Sequence, residues 1–440
     1  MSFRHVVAAL AGLGVLLSAA AAEAVDGRVL DAATGAAVPG ASVTVQGAET
    51  RAGPTGVFHV EGAPDRILAR APGYRAAAVG AADLAKAGGA LRLTPFTPRA
   101  LYLTVYGVGS KKLRDGALAL VKRGAANALV IDLKGDRGIV PYPSPTAQAT
   151  APQSRRITTI PDLAGLARTM HASGVYLIAR IVTFKDDPLA AAHPEFAIRT
   201  ASGALFHDRE GLAWTDPFRS EVQAYNIDLA IEAAKAGFDE IQFDYIRFPD
   251  SSTRLRLAKP SNLSNRTQAI SGFLAGARRR LAPYNVFLSA DVFGYVCWNL
   301  DDTGIGQRLG DIMPSVDYLS PMLYPSGFRF GIPGIENPVA NAYSIVRDSL
   351  AQAQARVNVS PKRFRPWLQA FRDYAFDHRL FDADEVADQI RAAKDFGSDG
   401  WMLWNARNTY GDTGLAWAEG PREARYVSAA GSSPPAHSCS

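Results

Sequence analysis

The sequence predicts an α/β chain, a (β/α)8 barrel preceded by a small all-β sandwich. Three observations predict it. Apolar, strand-like segments alternate with helical patterns eight times over about 325 residues. Several of those helices stop at a glycine (Gly124, Gly174, Gly237 and Gly397), the residue expected just past a helix C-terminus. The text before residue 95 is different, with short alternating strands broken by Gly and Pro turns. A doubly wound open sheet is the runner-up. No G-x-G-x-x-G follows the first strand of the repeat, which weighs against dinucleotide binding.

The elements follow in order. Arg4 and His5 precede an apolar run from Val6 to Leu17 and an alanine-rich stretch ending at Ala22–Ala24, so residues 1–24 read as a signal peptide and the protein as exported, periplasmic or secreted. The apolar run falls short of the ~20 residues a bilayer span needs, and the rival reading is an uncleaved anchor. Residues 25–95 contain "GRVLD", "ASVTV" and "GPTGVFHV", a sandwich pattern. "TPFTPR", Thr94 to Arg99, reads as a linker, so that a chain beginning near Thr97 is expected to fold by itself. The barrel is expected over 99–425 and a disordered Ser/Pro/Gly-rich tail over 426–440.

Composition narrows the function classes. A chain of 440 residues with 48% hydrophobic and 20% charged residues is soluble and globular in character. The net charge of +5 is spread thinly. Its densest run, Arg278–Arg280, reads as a solvated helix face, and no nucleic-acid partner is expected. Cys297 and Cys439 supply neither a disulfide framework nor a zinc cluster. No cofactor and no metal site is expected.

Barrel chemistry sits at the C-terminal ends of the strands. The strand candidates begin at residues 101, 128, 175, 240, 286, 317, 366 and 400. Their ends carry Asp132 and Lys134, Arg180, Asp244 and Arg247, Asp291, Tyr324, Gln369, Trp404 and Asn405. Asp244 and Asp291 lie near the ends of neighbouring strands, which places two carboxylates at one mouth. Glycoside hydrolysis uses such a pair, one ionised and one held protonated by burial and by its neighbour's charge. The competing reading is a buried ion network with Arg180 or Arg247, which would lower the carboxylate pKa values. Aromatic residues crowd the same loops, and Trp298, Tyr324 and Trp404 read as sugar platforms. A Schiff-base lyase would want a strand-end lysine. Lys134 is the near candidate, and Asp132 and Asp136 would keep it charged.

Two stretches carry family resemblances. Gly27, Val29, Asp31, Thr34, Gly35, Gly40, Ala41 and Val43, with "TGVFHV" and "APGYR", resemble the carboxypeptidase regulatory-like domain, which implies a non-catalytic accessory module. "GFDEIQFDYIRFP" from Gly237, the insert from His193, "VIDLKGDRG" and "SADVFGY" resemble the DUF4015 glycosyl hydrolase family over about Ala100 to Gly420. By analogy with related barrel glycosidases, the resemblance implies Asp244 as the nucleophile-like carboxylate. The partner on strand five is often Glu there and is Asp291 here, one methylene shorter. The expectation is an exported glycoside hydrolase acting on a polysaccharide, with Asp244 and Asp291 catalytic. Asp132, Lys134, Arg180, Arg247, Trp298, Tyr324, Gln369, Trp404 and Asn405 would bind substrate. The alternative is a non-catalytic polysaccharide-binding or cell-envelope scaffold protein.

Overall fold

The computed structural model describes residues 24–61, 65–251, 253–411 and 414–415. The expected signal segment, apart from Ala24, and the expected tail lie outside the described residues, as does Cys439.

Eight parallel strands close into a barrel. In chain order they are Arg99–Leu103, Ala128–Lys134, Tyr176–Val182, Glu240–Asp244, Phe287–Phe293, Tyr318–Met322, Trp367–Gln369 and Trp401–Trp404, referred to below as barrel strands one to eight. Strand eight pairs with strand one, Leu403 opposite Leu101, which completes the ring. All eight expected strands are present. Strands two, three and four are buried along their whole length, since one face meets the barrel interior and the other the helices. Alternation separates two cores. Ala100, Ala128, Val130, Tyr176, Ile178, Phe287 and Met402 pack inside the ring. Leu101, Leu129, Ile131, Leu177, Ala179, Ile241 and Phe243 pack outward against the helices.

The helices follow the apolar periodicity of the sequence. The long ones are Lys111–Lys122, Leu163–Ala172, Ser220–Ala236, Leu263–Leu281, Ala342–Val357 and Ala383–Phe396. Asp162 and Asn262 cap two of them by accepting from the backbone N–H three residues on. Gly237 and Gly397 end two others with φ of 103° and 89°, a conformation in which a Cβ is costly. After strand five the helix shrinks to Leu309–Ile312, as the glycine-broken text "TGIGQRLGDI" suggests.

Residues 25–93 form two small sheets. One orders Val57–Val60, Val25–Asp31 and Ala90–Leu93, and the other Ala48–Arg51, Ser42–Val45, Arg66–Arg70 and Ala77–Gly80. They enclose a separate core around Val29, Val43, Phe58, Ile67 and Leu91. This module is joined to the foot of the barrel, the end where the strands begin. Arg70 donates to Asp317 at 3.2 Å and to Glu49 at 3.0 Å, with Arg70 and Asp317 both 2% exposed. Gly73 donates its N–H to Asp399 at 3.0 Å. Arg278 does not lie on a solvated face. It bonds Glu49 and, at 3.2 Å, Ser42, because docking of the module covers that end of its helix. The other two arginines of the run, Arg279 and Arg280, are exposed as expected, Arg280 paired with Asp228.

Candidate active site

Inside the ring the top layer is polar. Register places Asp132 of strand two, Arg180 of strand three and Gln242 of strand four side by side. One turn of the pleat higher, Asp244 and Asp291 complete the layer from strands four and five. Asp244 shares the inward face of its strand with Glu240 and Gln242, while Ile241 and Phe243 face the helices.

Arg180 is the centre. It is 1% exposed and holds three carboxylates. Its Nε and Nη2 donate to Asp244 Oδ2 at 3.0 and 2.6 Å. Its Nη1 donates to Asp132 Oδ1 at 2.7 Å, and Nη2 also reaches Asp136 Oδ1 at 2.9 Å. Asp132 Oδ2 accepts from the Tyr102 hydroxyl at 2.6 Å. Asp244 Oδ1 accepts from the Tyr245 backbone N–H at 2.5 Å. Tyr245 has φ of 49°, a left-handed conformation rare for an aromatic residue, placed directly after the carboxylate.

Asp291 is in a contrasting environment. Its Oδ1 accepts from Trp367 Nε1 at 2.9 Å, while Oδ2 is buried with no partner among the described residues. Burial, then the charge of Asp244, pushes its carboxyl well above the usual range. Burial also raises Asp132, to about 7, against the pull of Arg180. A network that served only to pair ions would lower these values. The mouth therefore holds an arginine-bound carboxylate on strand four beside a carboxyl on strand five that burial pushes up.

Two aromatic rings border this layer. Trp404 stacks on Tyr102 with centroids 4.0 Å apart, and Arg180 lies 4.8 Å from the Trp404 ring centre. Tyr324 meets Phe371 edge to face at 5.5 Å. Its phenol is raised by burial and by the charges of Asp291 and Asp244. Both rings are half-buried.

Several expected substrate contacts are placed elsewhere. The pairing of strands two and three steps from Arg180–Asp132 to Ile181–Lys134, and this bulge turns Lys134 out of the ring. There it is fully buried, bonding Asp186 and Asn226 at 2.6 Å each and Thr183 O at 3.1 Å. Trp298 points into the helix layer, its Nε1 donating to Ser349 at 2.9 Å. Gln369 uses its amide on Ser326, as donor at 2.7 Å and acceptor at 3.0 Å, and so braces the loop after strand six. Asn405 bonds the backbone oxygens of Ala370 and Thr409. Arg247 lies at the rim, over the rings of Trp214 and Tyr245 at 4.9 and 5.1 Å. Sequence reasoning missed Tyr102 and Trp367, which orient Asp132 and Asp291. Tyr102 lies two residues after Ala100 on the inward face of strand one, so the period-two alternation was the available signal.

Comparison with known proteins agrees with this architecture. No curated protein matches the chain. Among solved structures, a hypothetical protein from Ruminiclostridium thermocellum is 36% identical, covering 44% of this chain and 97% of its own, with a TM-score of 0.38. The PgaB (BpsB) glycoside hydrolase domain from Bordetella bronchiseptica is similar in fold, with 15% identity, 71% and 95% coverage and a TM-score of 0.51. A class V chitinase from Nicotiana tobaccum matches at 12% identity, 73% and 99% coverage and a TM-score of 0.43. The family model of DUF4015, described as "Putative glycosyl hydrolase domain", matches residues 100–410, and the chain belongs to that family.

Proposed function

We propose that the protein hydrolyses glycosidic bonds of a polysaccharide with Asp244 and Asp291 as its two carboxylates. The observation that carries this reading is their unequal environment. Asp244 accepts three hydrogen bonds from Arg180 and Tyr245, which suits an anion. Asp291 has a raised carboxyl, which suits a proton donor, and its Oδ2 has no partner among the described residues. Asp291 gives its proton to the glycosidic oxygen as the bond to the anomeric carbon breaks. Asp244 stabilises the positive charge that develops on that carbon, and water supplies the new hydroxyl while its other proton returns to the Asp291 carboxylate. Tyr102 and Asp132 fix Arg180, and Arg180 fixes Asp244. Trp404 and Tyr324 offer ring faces to the C–H faces of a sugar.

The N-terminal sheets fit a carboxypeptidase regulatory-like accessory module, and the first 24 residues fit export. The described residues include no helix long and apolar enough to cross a membrane. One observation favours the rival reading of a non-catalytic polysaccharide-binding or envelope scaffold: Asp244 and Asp291 are only 3% and 1% exposed. Turnover decides between them. Mature protein assayed against envelope and plant glycans is expected to release reducing ends, and Asp244→Asn to abolish that release while leaving the melting temperature near that of the parent. Glycan binding without any release by the parent protein would establish the scaffold instead.

A further inference from the structure

Beyond strand four the chain leaves the mouth through Arg247 and Phe248 and forms a second cavity. Leu255–Arg256 pairs antiparallel with Arg199–Thr200, and Phe248, Pro249, Ser251 and the residues from Thr253 to Ser261 wall a space of about 980 Å³. Four basic side chains line it, those of Arg254, Arg256, Lys259 and Arg266, and no acidic one does. Bases exceed acids by only five in the whole sequence, so average composition does not produce this lining.

Three of these four charges are not neutralised among the described residues. Arg266 is, through two bonds to Asp302 at 2.6 and 2.9 Å. Arg254, Arg256 and Lys259 are exposed, and among the described residues their side chains make no hydrogen bond and no ion pair. The backbone that carries them is tied down. The buried carboxylate of Asp216 accepts from Ala258 N at 2.6 Å, Asn265 donates to Pro260 O at 2.8 Å, and Arg266 donates to Ser261 O at 2.9 Å. Phe248, Leu255 and Leu257 give the same cavity an apolar side. Cations carried on a tied-down backbone around a partly apolar hollow match an acidic sugar, whose ring has C–H faces and whose substituent is a carboxylate. Fixing the loop beforehand lowers the ordering cost of binding.

We infer that this cavity is a subsite for a carboxylate-bearing residue of a glycan, so that the substrate of the neighbouring site is an acidic polysaccharide. The second clause rests on the proposed hydrolysis; the binding itself does not. Full-chain protein carrying Asp244→Asn is titrated by calorimetry with polygalacturonate and with alginate, each beside its carboxyl-reduced neutral form. At least one acidic polymer is expected to bind more tightly than its reduced form, and that preference to fade at high salt. The triple variant Arg254→Ala/Arg256→Ala/Lys259→Ala should lower affinity about tenfold and keep the melting temperature, since all three side chains are exposed. A second triple variant with Glu at the same positions should abolish the preference. Equal affinity for acidic and reduced polymers, an unchanged affinity in both triple variants, or stronger charge-dependent binding to duplex DNA or to anionic vesicles would each overturn the inference. Charge-dependent polymer binding with no turnover by the parent chain would remove the hydrolase reading and leave this subsite standing.

Discussion

The two ends of the barrel both bury arginine against carboxylates, and they differ in stoichiometry. At the foot, Arg365 bonds Glu240 at 2.6 Å and lies 3.4 Å from Asp399, while Arg70 and Arg278 are shared between Asp317 and Glu49. With Arg51 3.7 Å from Glu49, four guanidinium groups face four carboxylates, and Asp317 is held well below the usual carboxylate range by Arg70 and Arg278, which overcome its burial. At the mouth one guanidinium, Arg180, faces Asp132, Asp136 and Asp244, with Asp291 beside them, and Asp291 and Asp132 are raised. Parity of charge goes with lowered carboxyls at Asp317 and Glu49. At the mouth burial, and after it the neighbouring carboxylate charge, raises Asp291 and Asp132, and a carboxyl raised in this way is suited to acid catalysis.

That contrast is sharpened first by activity. Asp291→Asn removes the proton donor and is expected to lower turnover by about 10²–10⁴-fold, most for substrates with poor leaving groups, with the melting temperature nearly unchanged. Loss of fold with retained specific activity would move Asp291 to the structural side. At the foot the expectation is reversed. Arg70→Ala leaves Asp317 and Glu49 short of a partner in a dry joint and should cost about 3–5 kcal/mol in denaturant unfolding, with kcat unaltered below the transition. The same joint bears on the chain beginning at Thr97, which loses Arg70 and Glu49 together. It is expected to melt well below the full-length protein, and equal melting temperatures would show that the module is merely tethered.

Smaller effects distinguish the ends by pH. Asp317 has a depressed carboxyl, so its contribution is complete above the ordinary carboxylate value of 3.8 and is lost as the pH falls through its folded value. Asp132 has the opposite sign. Its folded value of about 7 lies above 3.8, so the folded state binds more protons, and stability declines as the pH rises from about 4 to about 7. Asp132→Asn should flatten the melting temperature across that window, and Asp317→Asn should flatten it below pH 4; an unchanged slope in either variant would show that the residue does not titrate there. Trp404→Ala is expected to weaken glycan binding by about 0.5–1.5 kcal/mol. A large stability loss in that variant would make the ring a core residue through its stack on Tyr102.

The sequence by itself determined the eight strands, most of the helices and their glycine ends, because periodicity and capping are local properties read within a few residues. It also placed Asp132, Arg180, Asp244 and Asp291 at strand ends. Tertiary structure decided which of the polar residues reach the mouth. A bulge between strands two and three sent Lys134 outward, and packing against the helix of Ser349 took Trp298 with it. Loop closure used the amides of Gln369 and Asn405. The closing of the ring set strand one against strand eight, which brought Tyr102 under Trp404 and onto Asp132, residues 30 to 302 positions apart in the chain. Docking of the N-terminal module took Arg278 out of solvent. Each of these depends on which distant segment comes to lie alongside, and strand periodicity carries no information about that.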